Sequence, residues 1–178
     1  MSQILKPLCK KDFNLFYQLM EASFPEEEYR AYDEELHLLD KKAFSVLVRY
    51  DLSGRRIEGF IAEWRFRTCS FLEQLAVEPT LRGRGIGSEM LKSYLSQTDK
   101  PVLIEVERPS ASELAARRID FYQRLGFILC SFGYTQPDLR PSGSRVDLLL
   151  MHYPFALSEH DLLARKKEIF HTVYGTEI

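Results

Sequence analysis

Between Leu75 and Ser88 the chain passes from an apolar strand pattern through Glu78-Pro79-Thr80 into glycines at 83, 85 and 87, and then into an amphipathic helix. This constrains the fold most. Glycine at alternate positions removes the Cβ atoms that would keep a ligand away from the backbone. The N–H groups of Gly83, Gly85 and Gly87, with those of Arg84, Ile86 and Ser88, can then converge on one anion at the positive end of the following helix. A diphosphate is the natural ligand, and Arg82 or Arg84 can add a charge-assisted hydrogen bond.

Competing readings of the segment are weaker. A Walker loop needs GxxxxGK[ST], and no Lys-Ser/Thr follows here. That disfavours a nucleotide-binding protein of another class. A Rossmann fingerprint needs GxGxxG in an early βαβ unit, whereas this is GxGxG after a hairpin. Glycines alone also fit a bland turn that only starts a helix. The two interleaved arginines and the helix directly behind favour a phosphate site.

With 178 residues, the expectation is one domain spanning 1–178. Apolar residues make up 45% and charged residues 28%, which excludes a disordered or low-complexity chain. The net charge of -2 gives no global positive field for nucleic acid or an anionic membrane. Cys9, Cys69 and Cys130 lie far apart with no CxxC, as in a reducing compartment. Met1–Pro7 lacks a basic-then-apolar leader, and no apolar run is long enough to span a bilayer. The expectation is a soluble, cytoplasmic protein, monomer or homodimer.

Periodicity predicts the elements in order. A short strand covers 3–8. Asp12 caps a helix bearing Phe13, Phe16, Tyr17, Met20 and Phe24. A second helix starts at Pro25, with Tyr29, Tyr32, Leu36 and Leu39 on one face. Strands at 43–50 and 56–67 form a hairpin around Asp51–Gly54, and a third strand covers 71–78. A helix at 84–97 buries Ile86, Met90, Leu91, Tyr94 and Leu95. Then come a strand at 101–107, a helix capped by Ser110 and Glu113 and stopped by Gly126, a strand at 127–132, a polar loop at 135–144, a strand at 145–153 and a helix opened by Ser158 and Asp161. Hairpins first and β-α-β crossovers later give an α/β (α+β) chain with a mixed sheet and helices on both faces.

Arg82-Gly83-Arg84-Gly85-Ile86-Gly87, preceded by Leu75-Ala76-Val77-Glu78-Pro79, matches the Q/R-x-x-G-x-G/A acetyl-CoA element of the GNAT superfamily of N-acetyltransferases. Phe121-Tyr122-Gln123-Arg124-Leu125-Gly126-Phe127 resembles that family's FYxxxGF helix-to-strand element. The order of elements is also similar over nearly the whole chain. The resemblance implies a mostly antiparallel central sheet of six to seven strands with a C-terminal helix. It also implies acetyl-CoA as co-substrate and an amine acceptor; no metal is expected, since no His/Cys cluster has metal-ligand spacing. Many members carry Asn where this chain has Ala115, which leaves Arg117 or Arg118 to compensate in the lower coenzyme site. The runs at 24–30 and 134–144 also resemble a bacterial subgroup of the family.

The chemistry sets further demands. By the resemblance, main-chain N–H groups of Leu75 and Val77, in the run Leu75-Ala76-Val77, hold the pantetheine arm and meet the acetyl carbonyl. Tyr122 is the candidate general acid. A phenol near pKa ~10 stays protonated yet lies close to a thiol near ~8.5. The alternative is that Tyr122 packs in the core like Phe121. Glu73 is the first candidate base, since alternation puts it on an apolar face with Phe71, Leu75 and Val77, where desolvation would raise its pKa. Glu105 is second choice. For both carboxylates a rim salt bridge is the competing reading, and a water chain is a third route. No cysteine lies beside the cradle, so direct transfer is expected rather than an acyl-enzyme. A non-catalytic acyl-CoA-binding module is the alternative function.

By the same resemblance, segments 22–30 and 133–145 flank the acceptor. Glu26, Glu27 and Glu28 can attract a cationic amine, or simply complement a helix dipole. Tyr29, Phe132 and Tyr134 either line a groove or pack in the core. His37, His152, His160 and His171 share no metal-ligand spacing.

Overall fold

The computed structural model describes residues 4–137, 139, 146–154 and 157–176. Twelve regular elements alternate as expected among them: β1 (Lys6–Pro7), α1 (Phe13–Glu21), α2 (Tyr32–Leu38), β2 (Phe44–Tyr50), β3 (Ile57–Arg65), β4 (Ser70–Val77), α3 (Ile86–Leu95), β5 (Val102–Glu107), α4 (Glu113–Arg124), β6 (Ile128–Gln136), β7 (Val146–Tyr153) and α5 (Glu159–Ile169). The fold is mixed α/β with mostly antiparallel strands, as the order of elements requires. The chain forms two compact units, Met1–Arg65 with Leu72–Asp99 and Phe66–Phe71 with Lys100–Ile178.

In the first unit, β2 and β3 are antiparallel, with Val46 opposite Ala62 and Val48 opposite Phe60. β1 pairs with the far side of β2, and β4 lies beside β3. Asp51 builds the hairpin turn by accepting from the N–H groups of Arg55 (2.9 Å) and Arg56 (3.2 Å), and Gly54 supplies φ 69°. On β3 the residues of both faces are buried, Ile61 and Glu63 as well as Phe60, Ala62 and Trp64. Phe16 of α1 meets Phe60 edge-on, with ring centroids 4.8 Å apart.

In α1 the cap, and in α2 the start, differ from expectation. Asp12 precedes α1, but its side chain does not cap it. The Tyr50 hydroxyl donates to Asp12 Oδ2 at 2.8 Å and holds that carboxylate elsewhere. The expected helix from Pro25 makes only one 3-10 turn over Glu26–Glu28. Tyr29 and Ala31 are then extended, and α2 begins at Tyr32. That break resets the helical phase. α2 therefore buries Glu35 and Leu38, while Tyr32 is exposed.

In the second unit, β7 lies between β5 and β6, antiparallel to both. α4 is capped by Ser112, not Ser110. Ser112 is extended, and its Oγ accepts from the Ala115 N–H at 3.0 Å. Gly126 ends the helix region at φ 94°. Ser158 caps α5 as expected, accepting from the Asp161 N–H at 3.1 Å. The strand expected at 127–132 runs on to Gln136. Most of the expected loop 135–144 and the side chains of Phe132 and Tyr134 lie outside the described residues.

Candidate active site

The glycine segment is built from β4 outward. After Val77, Glu78 accepts from the Thr80 N–H at 2.9 Å and also bonds the Thr80 hydroxyl, shaping a 3-10 turn over Pro79–Leu81. Arg82 folds back, its Nε donating to the Val77 carbonyl (3.0 Å) and its Nη2 to Ser23 Oγ (3.2 Å). Arg84 is exposed. Gly83 and Gly85 take left-handed φ values of 77° and 82°, and nothing lies within 4 Å of where a Cβ would stand. Backbone conformation therefore demands glycine there, and the space beside them is open.

α3 starts at Ile86, two residues later than the expected 84, because left-handed Gly85 is its N-cap. No side chain caps it. The first-turn amides of Ile86, Gly87 and Ser88 have no intrahelical acceptor by helix geometry. An uncapped positive helix end beside open space suits an anion.

Buried contacts fix the direction of α3. A Cβ on Gly59 of β3 would stand 2.7 Å from Met90 Sδ and 2.8 Å from the Ala76 carbonyl oxygen, so only glycine lets helix and strand approach this closely. At the far end of α3 the Tyr94 hydroxyl donates to Glu63 Oε2 at 2.6 Å, and Ser45 Oγ donates to Glu63 Oε1 at 2.8 Å. At the near end Arg49 bridges Glu58 (2.8 Å) and Glu89 (2.5 Å). Sequence reasoning singled out none of Gly59, Glu63 and Arg49 for this role. A glycine interrupting an alternating strand was the available signal for the first.

Glu73 on β4 is interior, its side chain 3% exposed. Arg30 Nη1 lies 2.7 Å from Oε1, and Trp64 Nε1 donates to Oε2 at 2.7 Å. The apolar surroundings expected for Glu73 are thus corrected, because Arg30 reaches that carboxylate. The salt bridge weighed as the alternative exists, though inside the unit rather than at a rim. The Tyr17 hydroxyl donates to the Arg30 carbonyl at 3.1 Å, and Gln74 Nε2 donates to the Glu28 carbonyl at 3.0 Å, fixing the segment that carries Arg30. Tyr29 is buried against Tyr17, with ring centroids 5.8 Å apart. Glu35 of α2 has no exposed surface, and Arg30 Nη1 is 3.9 Å from its Oε2. Burial, then the nearby Glu73 charge, pushes its pKa up to about 8.

In the second unit, Tyr122 of α4 packs its ring against Phe121 and Phe127, at 5.1 and 5.5 Å between centroids. Burial pushes its hydroxyl up to about 12, with Arg118 pulling the other way. Ala115, two turns earlier on α4, is buried. Arg117 pairs with Glu113 at 3.6 Å and Arg118 with Glu107 at 3.5 Å. Glu105 Oε2 accepts from the Tyr174 hydroxyl at 2.7 Å.

Residues 42–129 match the family model described as an acetyltransferase (GNAT) domain. A GNAT-family protein from Bacteroides thetaiotaomicron is 30% identical, with a TM-score of 0.85 over 97% of this chain and 99% of that one. The chain belongs to the GNAT family. Two other structures share the GNAT fold at lower identity. The ribosomal-protein-S18-alanine N-acetyltransferase of Escherichia coli has a TM-score of 0.63 and 18% identity, over 88% of this chain and 96% of its own. Arabidopsis thaliana NAA60, in complex with acetyl-CoA, has a TM-score of 0.64 and 16% identity, over 84% and 96%. No curated protein sequence matches the chain.

Within this GNAT chain, burial pushes the thiols of Cys69 and Cys130 up to about 11, so neither is a thiolate at neutral pH. Among the described residues no cluster of three or more His, Cys, Asp or Glu could hold a metal ion, and no helix is long and apolar enough to cross a membrane.

Proposed function

We propose that the chain transfers an acetyl group from acetyl-CoA directly to a primary amine of a small molecule or protein. The observation that carries this reading is the uncapped start of α3 behind left-handed Gly83 and Gly85, in a member of the GNAT family. The amides of Gly83 through Ser88 hold the diphosphate, and Arg84 adds charge to it, since Arg82 is already turned back onto Val77. Leu75, Ala76 and Val77 of β4 lie along the pantetheine arm, with main-chain N–H groups of Leu75 and Val77 as donors. When bound, acetyl-CoA supplies an activated thioester carbonyl.

The remaining steps fall to side chains. A fixed donor turns a bimolecular encounter into a positioned one. Tyr122 holds its proton throughout the physiological range and gives it to the departing sulfur. Glu73 takes the proton of the attacking amine, and Glu105 is the second candidate for that step. The whole chain acts as one GNAT-like domain, in the cytoplasm.

Thiol release from acetyl-CoA, measured against polyamines, amino acids, aminoglycosides and peptides, tests the reading. Acceptor-dependent release is expected with at least one class. Tight acetyl-CoA binding with no release for any class would favour the non-catalytic acyl-CoA-binding module, a reading to which Ala115 lends some support.

A further inference from the structure

Glu35 stands out among the buried ionisable groups. It has no exposed surface, and the donors nearest its carboxyl, the Arg30 main-chain N–H and guanidinium, make no hydrogen bond of good geometry to either oxygen. A buried carboxylate in that condition is costly, so the group keeps its proton. Its neighbour across the guanidinium is Glu73, with Arg30 Nη1 at 2.7 Å from Glu73 Oε1 and 3.9 Å from Glu35 Oε2. One cation thus stands between two interior carboxyls.

We propose that Glu35 is the charge-compensating partner of Glu73, releasing a proton when Glu73 takes one up, as Arg30 moves from the second carboxyl to the first. Its use in catalysis rests on the reading of Glu73 as base. The coupling itself does not.

The charges balance. With Arg30 positive, Glu73 ionised and Glu35 protonated, the trio is neutral. A proton added to Glu73 Oε1 alone would leave one net positive charge in the interior, which is costly. Loss of the Glu35 proton to bulk water restores neutrality, and Arg30 then closes the 3.9 Å gap to Glu35 Oε2. One proton enters and one leaves, with no bond to carbon touched. The groups facing the pair are consistent with this exchange. Glu73 on β4 and Glu34 on α2 discourage ionisation of Glu35, while Arg30 and its main-chain N–H favour it. Trp64 Nε1 stays on the other oxygen of Glu73, and the Tyr17 hydroxyl holds the Arg30 carbonyl. Glu35 is therefore a positioning residue acting through Arg30.

Carboxyl carbon-13 NMR titration of the full chain tests this. In the wild type, the resonance lost in Glu35→Gln is expected to titrate near about 8. In Glu73→Gln its midpoint should fall by about one pH unit or more, because a like charge has gone. Glu73→Ala carries the same expectation should the glutamine variant fold poorly, and Glu35→Asp should restore a high-titrating carboxyl. A midpoint unmoved by loss of the Glu73 charge, or one in the ordinary carboxylate range in the wild type, overturns the proposal. An intact NMR coupling beside an unaltered pH–rate profile for Glu73→Gln would uphold the coupling and remove Glu73 as base.

Discussion

The Tyr94 hydroxyl on the last turn of α3 donates a 2.6 Å hydrogen bond to Glu63 Oε2 on β3, with both residues buried. It anchors the helix whose other end carries the open glycine segment. Tyr94→Phe leaves a buried carboxylate oxygen short of a donor, at a cost of ~1–3 kcal/mol. Denaturant unfolding should show that loss, and acetyl-CoA affinity should fall with it as the start of α3 loses its fixed position.

Gly59 and Gly85 are expected to fail differently. Gly59→Ala drives a Cβ against Met90 Sδ and the Ala76 carbonyl, so its effect is overpacking worth ~1–3 kcal/mol. Gly85→Ala meets open space but must hold φ near 82°, costing ~1–2 kcal/mol, and its Cβ enters the volume assigned to the diphosphate. Calorimetric binding beside thermal unfolding separates the two. Gly85→Ala should lose more affinity than its stability loss explains.

Tyr122→Phe keeps the ring contacts to Phe121 and Phe127 and removes only the hydroxyl. Turnover should drop about 10²–10⁴-fold with acetyl-CoA binding unchanged. Steady-state rates at saturating donor make the check, and an unaltered turnover would return Tyr122 to a packing role.

Glu35 makes stability depend on pH with a definite sign. Its pKa rises from 4.5 when unfolded to about 8 when folded, so the native state holds a proton that the unfolded chain releases. Stability contributed by the protonated form is full below the unfolded value and is lost as pH climbs toward about 8. Glu35→Gln abolishes that slope. Urea melts at pH 6 and at pH 9 should show the variant gaining on the wild type at the higher pH, by an amount on the order of a few kcal/mol.

Much of this was legible in the chain because local chemistry and tertiary structure agree. The strand pattern at 56–67, the Asp51–Gly54 turn and the Ser158 cap each specify their own geometry, although β3 buries both of its faces. The failures arise where a distant group decides the outcome. Tyr50 takes the Asp12 carboxylate from the helix it was expected to cap. The extended backbone at Tyr29 and Ala31 turns α2 so that Glu35 rather than Tyr32 faces inward. In the candidate site, the open space beside Gly83 and Gly85 was legible from residue type, whereas their left-handed φ values were not part of that reading. The Arg30–Glu73 contact did not, because 43 residues separate its partners and no periodicity links them.

On the proposed reading, the main chain at the start of α3 clasps the diphosphate of coenzyme A. Isothermal titration of the full chain with acetyl-CoA, repeated with acetyl-pantetheine (which lacks the diphosphate), tests it most directly. One saturable site for acetyl-CoA, weakened about tenfold or more by Gly85→Ala and absent for the truncated thioester, is the predicted result. No binding heat with acetyl-CoA, or equal affinity for the two thioesters, would contradict it.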